Sequence, residues 1–169
     1  MDHPSSALLN PSRRNALNWL GCGAAALALG GCGAAQAEQT RFPVQLTDKQ
    51  WRERLSRAEY RVLRGAWTER PYSSPLHKEY RAGVFLCAGC GNALYSSATK
   101  FDSGNGWPSF YAAQRGAVAT KLDHSLILPR VEVHCANCGG HLGHIFDDGP
   151  KPTGKRHCIN GAALDFRPA

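Results

Sequence analysis

No run of five or six basic residues occurs anywhere in the chain, although the 169 residues carry 20 Lys and Arg against 13 Asp and Glu, a formal net charge of +7. Nucleic-acid tails and patches are built from such runs, so charge scattered in this way reads as solvated surface, and no nucleic-acid partner is expected. A β-α-β spacing is also missing, as is any long internal repeat, which argues against a parallel sheet or a solenoid. Long apolar runs are scarce. The main one, Ala16 to Ala35, is rich in Ala and Gly and broken by Asn18, so it has little driving force to span a bilayer.

What surrounds that stretch gives it a different meaning. Ser12-Arg13-Arg14 precedes it and Ala35-Gln36-Ala37 closes it, the order of basic, apolar and small residues that marks a signal peptide. The arginine pair resembles a twin-arginine export signal, although Ala16 and Asn18 depart from the usual residues. Cleavage after Ala37 would leave Glu38 first. Leu29-Gly30-Gly31-Cys32 offers a second reading, a lipoprotein box with Cys32 as the lipidated residue. An uncleaved anchor is the plainer alternative. The expectation is therefore an export signal over residues 1–37 and a single domain over residues 38–169, acting as a monomer in a bacterial periplasm, soluble or lipid-anchored. Removing the signal takes away Asp2, Arg13 and Arg14, and the body of the protein stays basic.

Two capping boxes open the domain. Thr47-Asp48-Lys49-Gln50 and Ser56-Arg57-Ala58-Glu59 each place a hydroxyl at the N-cap and a Gln or Glu three residues on. They predict short helices over residues 47–55 and 57–64, with Leu46 and Trp51 in staple positions. Beyond residue 65, Gly, Pro, Ser and Asn punctuate short runs rich in β-branched or aromatic residues. These are Val84-Phe85-Leu86, Ala93-Leu94-Tyr95, Ala117-Val118-Ala119-Thr120, Leu126-Ile127-Leu128, Val131-Glu132-Val133 and Ala163-Leu164-Asp165-Phe166. Such texture predicts a mainly β fold of antiparallel sheets.

Seven cysteines are present, an odd number. Cys87 and Cys90 form one C-x-x-C, Cys135 and Cys138 another, each followed by a glycine that permits a tight turn. Two such knuckles supply four thiolates in a tetrahedron, which suits one Zn²⁺ and leaves no open position, so the metal would be structural. Two disulfides, or a thioredoxin-like redox pair, remain as rival readings.

Once residues 1–37 are removed, Cys158 is left over, in Lys155-Arg156-His157-Cys158-Ile159-Asn160. A cation and an imidazole beside a thiol favour the thiolate, the nucleophilic form, and strand alternation would gather Arg156, Cys158 and Asn160 on one face. A small buried hydrophobe is the bland alternative. His141 and His144 follow the second knuckle at a metal-like spacing, but the cysteines already satisfy a zinc.

Several long segments, in order, are similar to the B-type methionine sulfoxide reductases. They are Cys87-Ala88-Gly89-Cys90-Gly91, the run Lys100-Phe101-Asp102-Ser103-Gly104-Asn105-Gly106-Trp107-Pro108-Ser109-Phe110, Cys135-Ala136-Asn137-Cys138, the run from His141 to Pro150, and Arg156-His157-Cys158-Ile159-Asn160. The resemblance covers nearly all of residues 46–166. It implies two antiparallel β-sheets with flanking N-terminal helices, a zinc site remote from the catalytic pocket, and reduction of methionine-R-sulfoxide, free or in oxidised proteins. Carried over by position, Cys158 would attack the sulfoxide sulfur. His141, His144 and Asn160 would orient substrate and deliver a proton, with Arg156 and Asp148 in support. Trp107 would form the floor under the S-methyl group, with Ile145 and Phe110 completing the substrate pocket.

The family pattern is broken at two positions. Asn105 stands where many members carry a resolving cysteine, so the sulfenic acid on Cys158 would be reduced directly by an external thiol, thioredoxin-like or small. His157 replaces a common tyrosine and would add a titratable group near the nucleophile. A non-catalytic zinc module and a thiol peroxidase are the competing functions; substitution of Cys158 and a comparison of substrates separate them.

Overall fold

The computed structural model describes residues 42–169; the export signal expected over residues 1–37 lies outside them. Helix α1 (Asp48–Arg54) and helix α2 (Arg57–Leu63) begin at the two capping boxes, each with both reciprocal hydrogen bonds formed. They are too short to persist alone. Burial of Trp51, Val62 and Leu63, together with the caps, holds them in place.

The rest is antiparallel β-structure in two sheets. The strands are β1 (Gly83–Cys87), β2 (Ala93–Ser96), β3 (Lys100–Phe101), β4 (Ser109–Phe110), β5 (Val118–Asp123), β6 (Arg130–Cys135), β7 (His141–Phe146), β8 (Arg156–Ile159) and β9 (Leu164–Pro168). The smaller sheet runs β2-β1-β9 and the larger β3-β4-β8-β7-β6-β5. Aromatic rings fill the space between them. Tyr95 of β2 stacks on Phe110 of β4 at 4.3 Å between centroids, and Phe85 of β1 meets Phe110 edge-on at 4.9 Å.

Two readings of the sequence need adjustment. Leu126-Ile127-Leu128 is no strand: it is the turn between β5 and β6, with its side chains in solvent. Its apolar character comes without the core that usually accompanies such a run. Ala163 belongs to a 3-10 turn (Gly161–Ala163) that precedes β9. Both histidines of the His141–His144 pair lie on a central strand, β7.

Gly143 in β7 is one reason that strand sits where it does. A Cβ built there would fall 2.0 Å from the carbonyl oxygen of Cys158 on β8. Only glycine lets the two backbones approach this closely, and the approach sets the distance between the side chains on either side of it.

Candidate active site

The two C-x-x-C segments are the turns of two hairpins, one joining β1 to β2 and the other β6 to β7. Their four sulfurs all lie within 4.8 Å of one another. Cys87 and Cys138 stand 3.7 Å apart, Cys90 and Cys135 3.6 Å. A disulfide needs about 2.05 Å, and all four cysteines are free thiols here. A thiolate tetrahedron around zinc, with metal–sulfur bonds of about 2.3 Å, has edges of roughly 3.8 Å, close to what is seen. The side-chain amides of Asn92 and Asn137 lie 3.6 Å from the sulfurs of Cys135 and Cys90, supporting negative charge there. The donor set fits a metal ion, and β1 and β6 belong to different sheets, so such an ion would clip the sheets together.

Cys158 lies elsewhere, on β8, between β4 and β7. It pairs with Ser109 on one side and His144 on the other. A cavity of about 140 Å³ opens beside it, lined among others by Thr68, Trp107, His144, Phe146 and Asn160. Register explains the grouping. Residues directly opposite in antiparallel strands send side chains to the same face, so Cys158 and His144 share one face, and Phe146 and Arg156, the next pair on that face, sit beside them.

Burial of the Cys158 thiol raises its proton affinity, and the Arg156 guanidinium opposes this as the next influence. Arg156 is itself held by a two-pronged contact with Asp148, at 2.8 and 2.9 Å, and lies over the Phe146 ring at 4.4 Å. The expectation of a ready thiolate is therefore only half met. The cation is in place, but desolvation outweighs it.

Each histidine has its own carboxylate. His141 Nδ1 donates to Glu132 at 3.0 Å, and His144 Nε2 donates to Asp123 at 2.8 Å. Lys121 pairs with Glu132 and Arg130 with Asp123. Burial lowers the proton affinity of His144, while Asp123 acts to raise it. The Asp123 carboxyl is held well below the usual range, first by its contacts with Ser125 and then by His144. His141 is buried behind His144, their ring centroids 5.4 Å apart, and does not itself line the cavity.

A short segment ahead of the sheets braces the other side. The Glu69 carbonyl accepts from Trp107 Nε1 at 3.2 Å, and the Glu69 amide donates to Asn160 Oδ1 at 2.9 Å. Its carboxylate accepts from the amides of Gly161 and Ala162. The Asn160 side chain also donates to the Leu142 carbonyl at 2.9 Å, so its amide is engaged at both ends.

Two residues expected in the pocket are turned away from it. Phe110 is fully buried in the aromatic core, because alternation along β4 points it opposite to Ser109. Ile145 pairs with His157 across β7–β8 and faces away from the cavity for the same reason. His157 is likewise on the far face, where its Nδ1 lies 3.1 Å from the Tyr95 hydroxyl and burial lowers its proton affinity. Sequence reasoning missed Thr68, Glu69, Asp123, Arg130, Glu132 and Phe146. Of these only Phe146 carried a usable signal, standing two residues after His144.

Over residues 55–168 the chain matches the family model described as the SelR domain. It is 49% identical over 125 residues to the "Peptide methionine sulfoxide reductase MsrB" of Methanosarcina barkeri, covering 73% of this chain and 88% of that protein. A protein of the same name from Bradyrhizobium diazoefficiens is 50% identical over 135 residues, 79% of this chain and 97% of that one. The corresponding protein of Leifsonia xyli is 50% identical over 134 residues, with coverages of 78% and 96%. Identity at this level across both sheets and the four-cysteine cluster leaves one assignment: the chain belongs to the SelR-domain family of B-type methionine sulfoxide reductases.

Proposed function

We propose that the protein reduces methionine-R-sulfoxide, free or within a polypeptide, to methionine, with Cys158 as nucleophile. The observation that carries this reading is the cross-strand pairing of Cys158 with His144 beside one small cavity walled by Trp107. The Cys158 thiolate attacks the sulfoxide sulfur while the oxygen takes up a proton. Oxide is a poor leaving group, and a positioned acid contributes roughly 10²- to 10⁴-fold. His144 is the donor that fits: one ring proton is committed to Asp123 through Nε2, so the proton to give is one on Nδ1, and because burial lowers the ring's proton affinity the protonated form is the less populated but the stronger acid. His141, fixed by Glu132, backs the His144 ring.

The substrate sulfur gains the two electrons that Cys158 gives up, and the oxygen ends on Cys158 as a sulfenic acid. An external thiol, thioredoxin-like or small, then displaces water to form a mixed disulfide, and a second thiol frees Cys158. Asn105 offers no sulfur for an internal route. The indole of Trp107 suits the S-methyl group. Asn160, Arg156 and Asp148 hold the site's shape and charge.

We assign zinc to Cys87, Cys90, Cys135 and Cys138. With all four positions filled by sulfur it supplies structural cohesion and no Lewis acidity at the reaction site. Export to the periplasm, in soluble or lipid-anchored form, belongs to the same reading and rests on the arginine pair and small-residue site within residues 1–37.

The test is turnover of the two separate sulfoxide epimers by the mature chain with dithiothreitol. The R epimer should be consumed and the S epimer left, and Cys158→Ser should lose at least about 10³ of the rate. Full activity in Cys158→Ser, or no turnover of either epimer at full metal occupancy, would overturn the proposal.

A further inference from the structure

Residues 68–72 run ahead of both sheets and touch the reaction site at several points. The Glu69 carbonyl accepts from Trp107 Nε1 at 3.2 Å, and the Glu69 amide donates to Asn160 Oδ1 at 2.9 Å. Thr68 lines the cavity itself. Tyr72 secures the far end. Its amide donates to the Gly106 carbonyl at 2.7 Å and its hydroxyl to the Gly104 carbonyl at 2.6 Å, gripping the turn that leads into Trp107. Tyr72 has φ of 62°, a conformation that a non-glycine residue keeps only where its surroundings impose it.

Glu69 is held in turn by its carboxylate. Burial raises the proton affinity of that group, and the amides of Gly161 and Ala162, which donate to it, act the other way. Those amides open the 3-10 turn Gly161–Ala163, and the first donors of a helical turn have no partner within it. Two other 3-10 turns, Pro75–Lys78 and Ser97–Thr99, meet the same need locally. The N-cap serine of each, Ser74 or Ser96, accepts from the amide two residues on. Asn160 is the N-cap of the Gly161–Ala163 turn and a residue type well suited to that bond, yet its side chain makes none. The amide two residues on, that of Ala162, goes to Glu69 instead. Released from capping, the Asn160 side chain bridges the Glu69 amide and the Leu142 carbonyl and lines the cavity. Gly161 permits the exchange: a Cβ there would fall 2.0 Å from Ser74 Oγ and 3.2 Å from the Glu69 carboxylate.

We propose that Glu69 is a positioning residue for the reaction: its carboxylate caps the Gly161–Ala163 turn in place of Asn160, and so holds Asn160 in the cavity wall and Trp107 in the floor together. The inference rests on the reductase reading and adds to it the residue that keeps two of its parts in register. Without the carboxylate, two amides are left open, and Asn160 is the N-cap side chain placed to fill one of them. Turning to do so takes it out of the wall and breaks its bond to the Glu69 amide. The segment that carries the Trp107 acceptor then loses its anchor. A loosened floor holds the S-methyl group less well before and during reaction, which raises KM, and a displaced wall lowers kcat.

The experiment measures KM and kcat for N-acetyl-methionine-R-sulfoxide amide at saturating dithiothreitol in Glu69→Ala and Glu69→Gln. Glu69→Ala should raise KM about tenfold and lower kcat about tenfold. Glu69→Gln keeps one acceptor oxygen but sets its NH₂ against the second amide, so it should fall between Glu69→Ala and the unaltered protein. A preparation that merely held fewer folded molecules would lose kcat and keep its KM. In ¹H–¹⁵N spectra the Trp107 indole resonance, identified by its loss in Trp107→Phe, should shift in Glu69→Ala while that of Trp51 stays. A KM unchanged in both variants, or an unmoved Trp107 resonance, would overturn the positioning role and leave the reductase reading intact. If Glu69→Ala does not fold, Glu69→Gln decides alone: a raised KM with a shifted Trp107 resonance supports the role, and an unchanged KM overturns it. No turnover by the unaltered protein would defeat the reductase reading, and the positioning role with it.

Discussion

Cys158 is subject to two opposing influences. Burial favours its protonated form, and Arg156 favours the thiolate. The thiol's proton affinity therefore ends above the ordinary value, and reactivity should climb as pH rises toward it. Removing the guanidinium leaves burial unopposed. In Arg156→Gln the midpoint of iodoacetamide alkylation at Cys158 should move to higher pH, and alkylation at neutral pH should slow by about tenfold or more. A midpoint that stays put, or moves down, would show that Arg156 acts only through its contact with Asp148. His157 makes the complementary point. Although adjacent in sequence to Cys158, it faces Tyr95 across the core, so its charge state bears on folding. His144 and His157 both have lowered proton affinities from burial. The stability each contributes is present above the ordinary histidine value of 6.5 and is lost as pH falls through it toward the lower folded value. Melting temperature should accordingly drop by several degrees between pH 7 and pH 5.

At the scale of elements, the β5–β6 hairpin matters more than its plain sequence suggests. It delivers a carboxylate to each histidine of β7, Asp123 to His144 and Glu132 to His141. Asp123→Asn keeps the shape but removes the negative charge that holds the Nε2 proton in place. Turnover should fall by roughly ten- to a hundredfold, whereas Cys158 alkylation should be little changed. Parallel loss of both would mean that the hairpin had shifted as a whole. What could be read from the chain beforehand follows the range of the interaction. Capping boxes, C-x-x-C knuckles and the alternation of Arg156 with Cys158 are local, and all three stand as read. Asp123 and Glu132 become partners of histidines only through the register of three strands, which no short window encodes. The family resemblance places Phe110 and Ile145 in the pocket, and strand alternation sends both to the other face. Leu126-Ile127-Leu128 read as a strand because burial and exposure leave the same mark on composition.

At the scale of the described residues, a metal held by the four-cysteine cluster would tie the two sheets together. The cysteines come from the β1–β2 and β6–β7 turns, and the helices cover the cluster: a Cβ at Gly89 would touch Trp51 and Leu63. Arg64, the C-cap of the second helix, also donates to the Cys138 carbonyl at 3.2 Å. Withdrawing a metal from this place frees both turns and the helices above them. Chelation, or Cys87→Ser, should lower the melting temperature by ten degrees or more, an effect of several kcal/mol. Cys158 should keep its reactivity with iodoacetamide until unfolding begins, because it lies on β8, away from the cluster. Immediate loss of Cys158 reactivity on chelation, at a temperature where the fold persists, would place the metal in the chemistry instead.

The central claim, that one sulfur at position 158 takes the oxygen from the substrate, is tested most directly by a single turnover without reductant. The mature protein is mixed with excess methionine-R-sulfoxide, methionine is counted, and the protein is trapped with dimedone for mass spectrometry. One methionine per chain should form in a burst, with the dimedone adduct on Cys158 and no new disulfide. Methionine formed without any change at Cys158, or a disulfide joining Cys158 to another cysteine of the same chain, would contradict the account.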